Sequence, residues 1–283
     1  MQASSKPCVA YPIVEYIHVS LKVIELIFLT IRYRREAQIS PPNGIKNNSM
    51  CQIKFFKKDF TIIALDIPGY GKSPKIKNTT ISNYASSIHK FLISKNIKKP
   101  ILIGHSLGGM IVQEIITKYT NFAKAAVLVG TTAKFGGHDL SWQNDFINSR
   151  LQPLENGQSM KDISIKAITN IMGSNKNQEV ISFAGKIMSS IKKNTYKSAI
   201  LSLVGFDLRH QLSNITIPKL LISGEEVKQA PAKTMKSMSK KIKYAQYKEI
   251  KNCGHLIHLE KPEIFNKIIQ DFILALSLFK EKL

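Results

Sequence analysis

The chain has 283 residues, 43% of them hydrophobic, enough to bury one substantial core as a single α/β domain or as a domain carrying an insertion. This excludes a disordered or fibrous protein. Lysine and arginine number 41 against 19 aspartates and glutamates, a formal net charge of +22. The lysines are scattered over the whole length and no nucleic-acid motif accompanies them. A composition biased towards Lys, Asn and Ile therefore explains the charge better than a polyanion site, and neither nucleic acid nor a membrane is expected as a partner.

At the N-terminus, residues 9–31 are apolar in places, but Glu15, Lys22 and Glu25 interrupt them. The longest apolar run, Val23 to Ile31, is too short to span a bilayer, and no secretory signal pattern is clear, so strands are expected. Phe60-Thr-Ile-Ile-Ala-Leu65 is near-continuously apolar and β-branched, as in a strand buried on both faces of a parallel sheet. A turn-rich loop follows, Asp66-Ile-Pro-Gly-Tyr-Gly-Lys-Ser73, and then a helical pattern with Ile81, Tyr84, Ile88, Phe91 and Leu92 on one face.

Pro100 to Ile103 read as a short buried strand, and Leu107, Ile111, Ile115 and Tyr119 recur at helical spacing after it. Between them lies Gly104-His-Ser-Leu-Gly108, a serine set between two glycines at a strand-to-helix junction. This is the pattern of a nucleophile elbow, which strains the serine backbone and stands Ser106 above the sheet. Ala125 to Val129 form another buried strand. Alternation then stops from about Ala133 to Phe206, where helical segments joined by polar linkers such as residues 173–177 suggest a lid. It resumes with strands at Pro218 to Ser223 and near Tyr244 to Ile250. A closing amphipathic helix follows Pro262, with Ile264, Ile268, Phe272 and Leu276 expected on its buried face. Strands and helices alternating in this way imply a doubly wound parallel sheet. Cys8, Cys51 and Cys253 lie far apart without a Cys-x-x-Cys, which argues against a disulfide framework and a zinc site and fits a reducing, cytoplasmic setting.

Several of these motifs together resemble the α/β-hydrolase superfamily over about Asn43 to Ile273. Gly104-His-Ser-Leu-Gly108 looks like the family elbow, Asp66 to Ser73 resembles its Asp-x-Pro-Gly-x-Gly-x-Ser loop, and Cys253-Gly-His255 with Glu260 and Pro262 resembles its histidine loop. The segment from Trp142 through Arg150-Leu-Gln-Pro-Leu to Gly157 is similar to the 3-oxoadipate enol-lactonase-like branch. The resemblance implies an α/β-hydrolase fold, a mostly parallel doubly wound sheet with a helical lid inserted after the sixth strand. Residues 1–132 would form the first part of the core, with 1–42 irregular, residues 133–206 the lid, and residues 207–283 the second part of the core.

The chemistry requires an activated serine, a base for its proton and backbone donors for the oxyanion. Ser106 and His255 occur in the chain order this fold uses, with His255 on a glycine-containing loop after a strand. His105, beside the nucleophile, is expected to pack or bond locally. The N–H of Leu107 at the helix start is one oxyanion donor. The resemblance puts the second on Ile45, where Asn43-Gly44 replace the family's His-Gly, and the preceding Glu36 to Pro42 is a poor strand that is shortened, displaced or lost. Val227 stands where the family places the triad acid, so Glu226 and Asp207 are the candidates for that role, against the plainer roles of turn residue and helix cap. Trp142 and Arg150 are candidate substrate contacts, and no metal or cofactor is expected.

The leading reading is a serine hydrolase of small carboxylic esters or lactones, working through an acyl-enzyme on Ser106 with His255 as base. A degenerate, weakly active or non-catalytic member of the fold is the alternative. Carbon–carbon bond hydrolysis or haloperoxidase-like chemistry on the same residues is a third. The oligomeric state is not legible in the sequence.

Overall fold

In the computed structural model, which describes residues 28–33, 51–56, 59–136 and 140–278, the apolar runs become strands. They are β1 (Phe28–Tyr33), β2 (Phe60–Ala64), β3 (Ile101–His105), β4 (Ala125–Val129), β5 (Lys219–Gly224) and β6 (Ala245–Ile250). Among the described residues they form one sheet in the order β2-β1-β3-β4-β5-β6. The neighbours from β3 to β6 pair in parallel, with Ile103 opposite Val127 and Leu128 opposite Leu221.

The slot between β2 and β3 is filled by a strand at the end of the N-terminal apolar run, within the residues 1–42 expected to be irregular. β1 occupies it and runs antiparallel to both neighbours, with Ile31 opposite Ile62 on one side and Ile101 on the other. The run from Glu36 to Pro42, which contains two prolines that have no N–H to give a ladder, lies outside the described residues.

Side chains alternate across the central strands, as strand geometry requires. Leu102, Leu128 and Leu221 enter one apolar cluster with helices α2 (Ile81–Ser94), α3 (Leu107–Lys118) and α8 (Ala232–Lys240). Ile103, Val127, Val129 and Ile222 enter the other, with α1 (Cys51–Phe56) and α10 (Pro262–Leu278). Helices thus cover both faces of the sheet. In α10 the buried stripe is Phe265, Ile269, Phe272, Ile273 and Leu276, while Ile264 is 50% exposed. Of the expected face, Phe272 and Leu276 are buried and Ile268 is partly buried against the same cluster, while Ile264 faces out. The helix is apolar on more than one stripe, and packing against the sheet and α1 selects between them.

Between β4 and β5 the chain forms α4 (Leu140–Glu155), α5 (Met160–Ile171), α6 (Gln178–Ser189) and α7 (Lys193–Leu201). Among the described strands this insertion follows the fourth. Local chemistry sets its breaks: Ser159 caps α5 in a reciprocal capping box with Asp162, and Asn177 caps α6 through the N–H groups of Glu179 and Val180. A 3₁₀ turn (Arg209–Asn214) leads back to β5, and the short α9 (Ile257–Glu260) precedes α10. No helix among the described residues is long and apolar enough to cross a membrane.

Candidate active site

The turn from β3 into α3 places Ser106 at φ +53°, ψ −118°. A non-glycine residue held at positive φ costs of the order of 1–3 kcal/mol and persists only where its surroundings fix it. Here the Ser106 N–H donates to Val129 O at 2.9 Å, and the Thr131 hydroxyl donates to Ser106 O at 2.9 Å. Close backbone crossing explains the first glycine of the motif, since a Cβ on Gly104 would lie 2.3 Å from Gly108 O. Leu107 opens α3, so its N–H has no acceptor within the helix and is available to an oxyanion. Ile45, the other expected donor, lies outside the described residues.

His255 follows β6 on a loop pinned through its main chain. Its N–H donates to Ile171 O at 2.8 Å, at the end of α5. Its carbonyl accepts from His105 Nε2 at 2.7 Å; because a carbonyl only accepts, His105 carries its proton on Nε2. His105 thus joins the elbow strand to the histidine loop. His258 completes a buried trio, its ring 5.0 Å from that of His105, which is 4.7 Å from that of His255.

All three imidazoles are held neutral. Burial drives His255 well below the usual histidine value, and the neighbouring His105 and Arg150 push it further. Burial likewise lowers His258 well below that value and His105 to about 4. A neutral imidazole is the form that accepts a serine proton. His255 and Ser106 line one cavity of about 610 Å³, together with Trp142, Phe135 and Phe146.

The carboxylates considered for the triad are engaged elsewhere. Asp207 is bound through both oxygens by Arg209, whose guanidinium holds its carboxyl at about 2. Glu226 accepts from the backbone N–H and the hydroxyl of Ser174, just beyond α5. The structure does not bring either acid to His255, whose Nδ1 is buried with no hydrogen-bond partner among the described residues. Val227 is buried, at 4% exposure.

Trp142 lines the cavity with Ser106, whereas Arg150 lines a separate, smaller cavity of about 160 Å³. The guanidinium of Arg150 stacks 3.4 Å from the Phe146 ring centre and donates to Phe146 O. Sequence reasoning gave no role to His258 or to the three backbone bonds accepted by Glu260, from Gly173, Gly254 and Leu256. The only signal for either was position within the histidine loop. Among the described residues no group of three or more His, Cys, Asp or Glu is placed to hold a metal ion.

Comparison with known proteins bears on this geometry. A family model described as alpha/beta hydrolase fold matches residues 43–262. The 3-oxoadipate enol-lactonase 1 of Acinetobacter baylyi is 25% identical over 229 residues, covering 80% of this chain and 83% of that protein. The pimeloyl-[acyl-carrier protein] methyl ester esterase of Wigglesworthia glossinidia brevipalpis is 30% identical over 224 residues, covering 76% and 83%. Among solved structures, the enol-lactonase from Burkholderia xenovorans superposes with a TM-score of 0.71 at 20% identity, covering 88% of this chain and 97% of that one. A thermophilic esterase from Thermogutta terrifontis gives a TM-score of 0.70 at 20% identity, covering 82% and 88%. The elbow, the sheet and the family match agree: the chain belongs to the alpha/beta hydrolase fold family.

Proposed function

We propose that this chain hydrolyses small carboxylic esters or lactones through an acyl-enzyme on Ser106, with His255 as general base and then general acid. The observation that carries the reading is that a serine at a strained elbow and a neutral, buried histidine line the same cavity. The esterase and lactonase relatives support the same class of substrate. His255 takes the Ser106 proton as the hydroxyl adds to the ester carbonyl, and the Leu107 N–H, with Ile45 as the second donor, stabilises the oxyanion. His255 then returns the proton to the leaving alcohol. Water, deprotonated by His255, releases the acid product.

Residues 133–206 act as the lid of this site, and Trp142 contacts substrate there. Asp207 and Glu226 have lost support as the triad acid to their Arg209 and Ser174 bonds. The machinery is then a Ser–His dyad. Loss of the acid costs about 10⁴ in turnover in one well-studied serine protease, so slow activity is expected. The scattered cysteines favour the cytoplasm as its compartment.

Covalent labelling with a fluorophosphonate probe, read by intact mass, tests the proposal. Stoichiometric labelling that vanishes in Ser106→Ala is the expected result. The Nδ1 of His255, which has no hydrogen-bond partner among the described residues, favours a second reading, a degenerate member of the fold. Folded protein that takes up no label would establish that reading in place of the first.

A further inference from the structure

Lys134, Arg209, Lys228, Lys233 and Lys241 line the Ser106 cavity, and among the described residues no aspartate or glutamate does. Lys228, Lys233 and Lys241 are exposed, which puts them at its solvent side. Arg209 is committed to Asp207, and Lys134 also feels that carboxylate. Lys228, Lys233 and Lys241 take part in no ion pair among the described residues. Two of them belong to one surface: Lys233, Thr234, Ser237, Met238 and Lys241, spaced as one face of α8 and its end, all line the cavity. The buried part of the lining includes the apolar Met110, Phe135, Leu203 and Leu212.

We infer that this cavity takes an ester with an apolar body and a phosphate group, the phosphate held at the solvent side by Lys228, Lys233 and Lys241. This rests on the hydrolase reading above and assigns its substrate class. Ammonium groups act as separate point charges and suit a compact, multiply charged anion, whereas a planar carboxylate is matched by the guanidinium fork. The arginine in this lining, Arg209, is already bound to Asp207, and Arg150 lines the smaller cavity. A phosphate monoester carries about −1.5 to −2 charges near pH 7, against three uncompensated lysines. The bond broken is the carboxylic ester; water adds across it and the phosphate leaves intact on the alcohol product.

The test compares three esters with the full chain: para-nitrophenyl butyrate, para-nitrophenyl hemisuccinate and para-butyryloxyphenyl phosphate. The phosphate ester should show a kcat/KM higher by about tenfold or more, carried mainly by KM and weakened by salt. Replacing Lys228, Lys233 and Lys241 together by glutamine should lower that preference about tenfold. Replacing Lys90, Lys98 and Lys99, which do not line the cavity, removes the same net charge and should leave the preference intact. Preference for the hemisuccinate, no preference, or equal loss in both triple variants would overturn the inference. If no ester is turned over, the hydrolase reading has failed by itself. Equilibrium dialysis with phenyl phosphate then decides the anion site: binding lost only in the cavity triple variant sustains it, and absence of binding overturns it.

Discussion

The carboxylate of Glu260 accepts the backbone N–H of Gly173 at 2.9 Å, tying the histidine loop to the chain just beyond α5. The same carboxylate accepts from Gly254 and Leu256, on either side of His255, both at 2.9 Å. The two backbones meet so closely that a Cβ on Gly254 would lie 2.1 Å from Gly173 N. With no carboxylate on its Nδ1 among the described residues, His255 is positioned through its main chain, and the insertion between β4 and β5 supplies part of that support.

Glu260→Ala should therefore affect both stability and chemistry. Three partly buried N–H groups lose a charged acceptor, a destabilisation of about 2–4 kcal/mol by urea unfolding. Fluorophosphonate labelling, measured where the variant is still folded, should slow about tenfold or more. Glu260→Gln keeps one oxygen acceptor and should recover part of both. Unchanged labelling would show that Glu260 does not position His255.

The buried histidines set the acid sensitivity of the fold. Their folded pKa values are depressed, so the unfolded chain binds more protons once pH falls below about 6.5. Stability is fully present above that value and is lost as pH drops towards about 4, the folded value of His105. Each imidazole contributes a slope approaching about 1.4 kcal/mol per pH unit in that window. Urea unfolding between pH 7.5 and 5 should show the decline, and His105→Gln, which keeps a side-chain donor for His255 O, should lower the slope by about one proton.

Val227→Asp places a carboxylate where the resemblance assigns the acid. Burying it should cost about 1–3 kcal/mol in stability, while an ionised partner for His255 Nδ1 should raise the labelling rate about tenfold or more. Stability lost without any gain in labelling would show that this position does not limit catalysis.

Ser106→Gly separates fold from chemistry at the elbow. Glycine adopts φ +53° without a Cβ penalty, so the variant should be about 1 kcal/mol more stable in thermal or urea unfolding, less the entropy glycine adds to the unfolded chain. Labelling should vanish. A destabilised variant would mean that Ser106 is not strained.

The sequence by itself determined the strands at Phe60, Ile101, Ala125 and Lys219, the helices that alternate with them, and the serine elbow. Apolar runs, helical spacing and glycine positions are local properties, and burial of those runs leaves little choice of partner. It did not determine the exposure of Ile264 on α10, the antiparallel placement of Phe28–Tyr33, or which groups surround His255. Tertiary structure decided these, because each depends on residues distant in the chain meeting across a sheet or a loop. Asp207 and Glu226 show the reason most directly. Their acidity was legible, but Arg209 and Ser174 captured them, and hydrogen-bond geometry rather than residue type decides which partner a carboxylate serves.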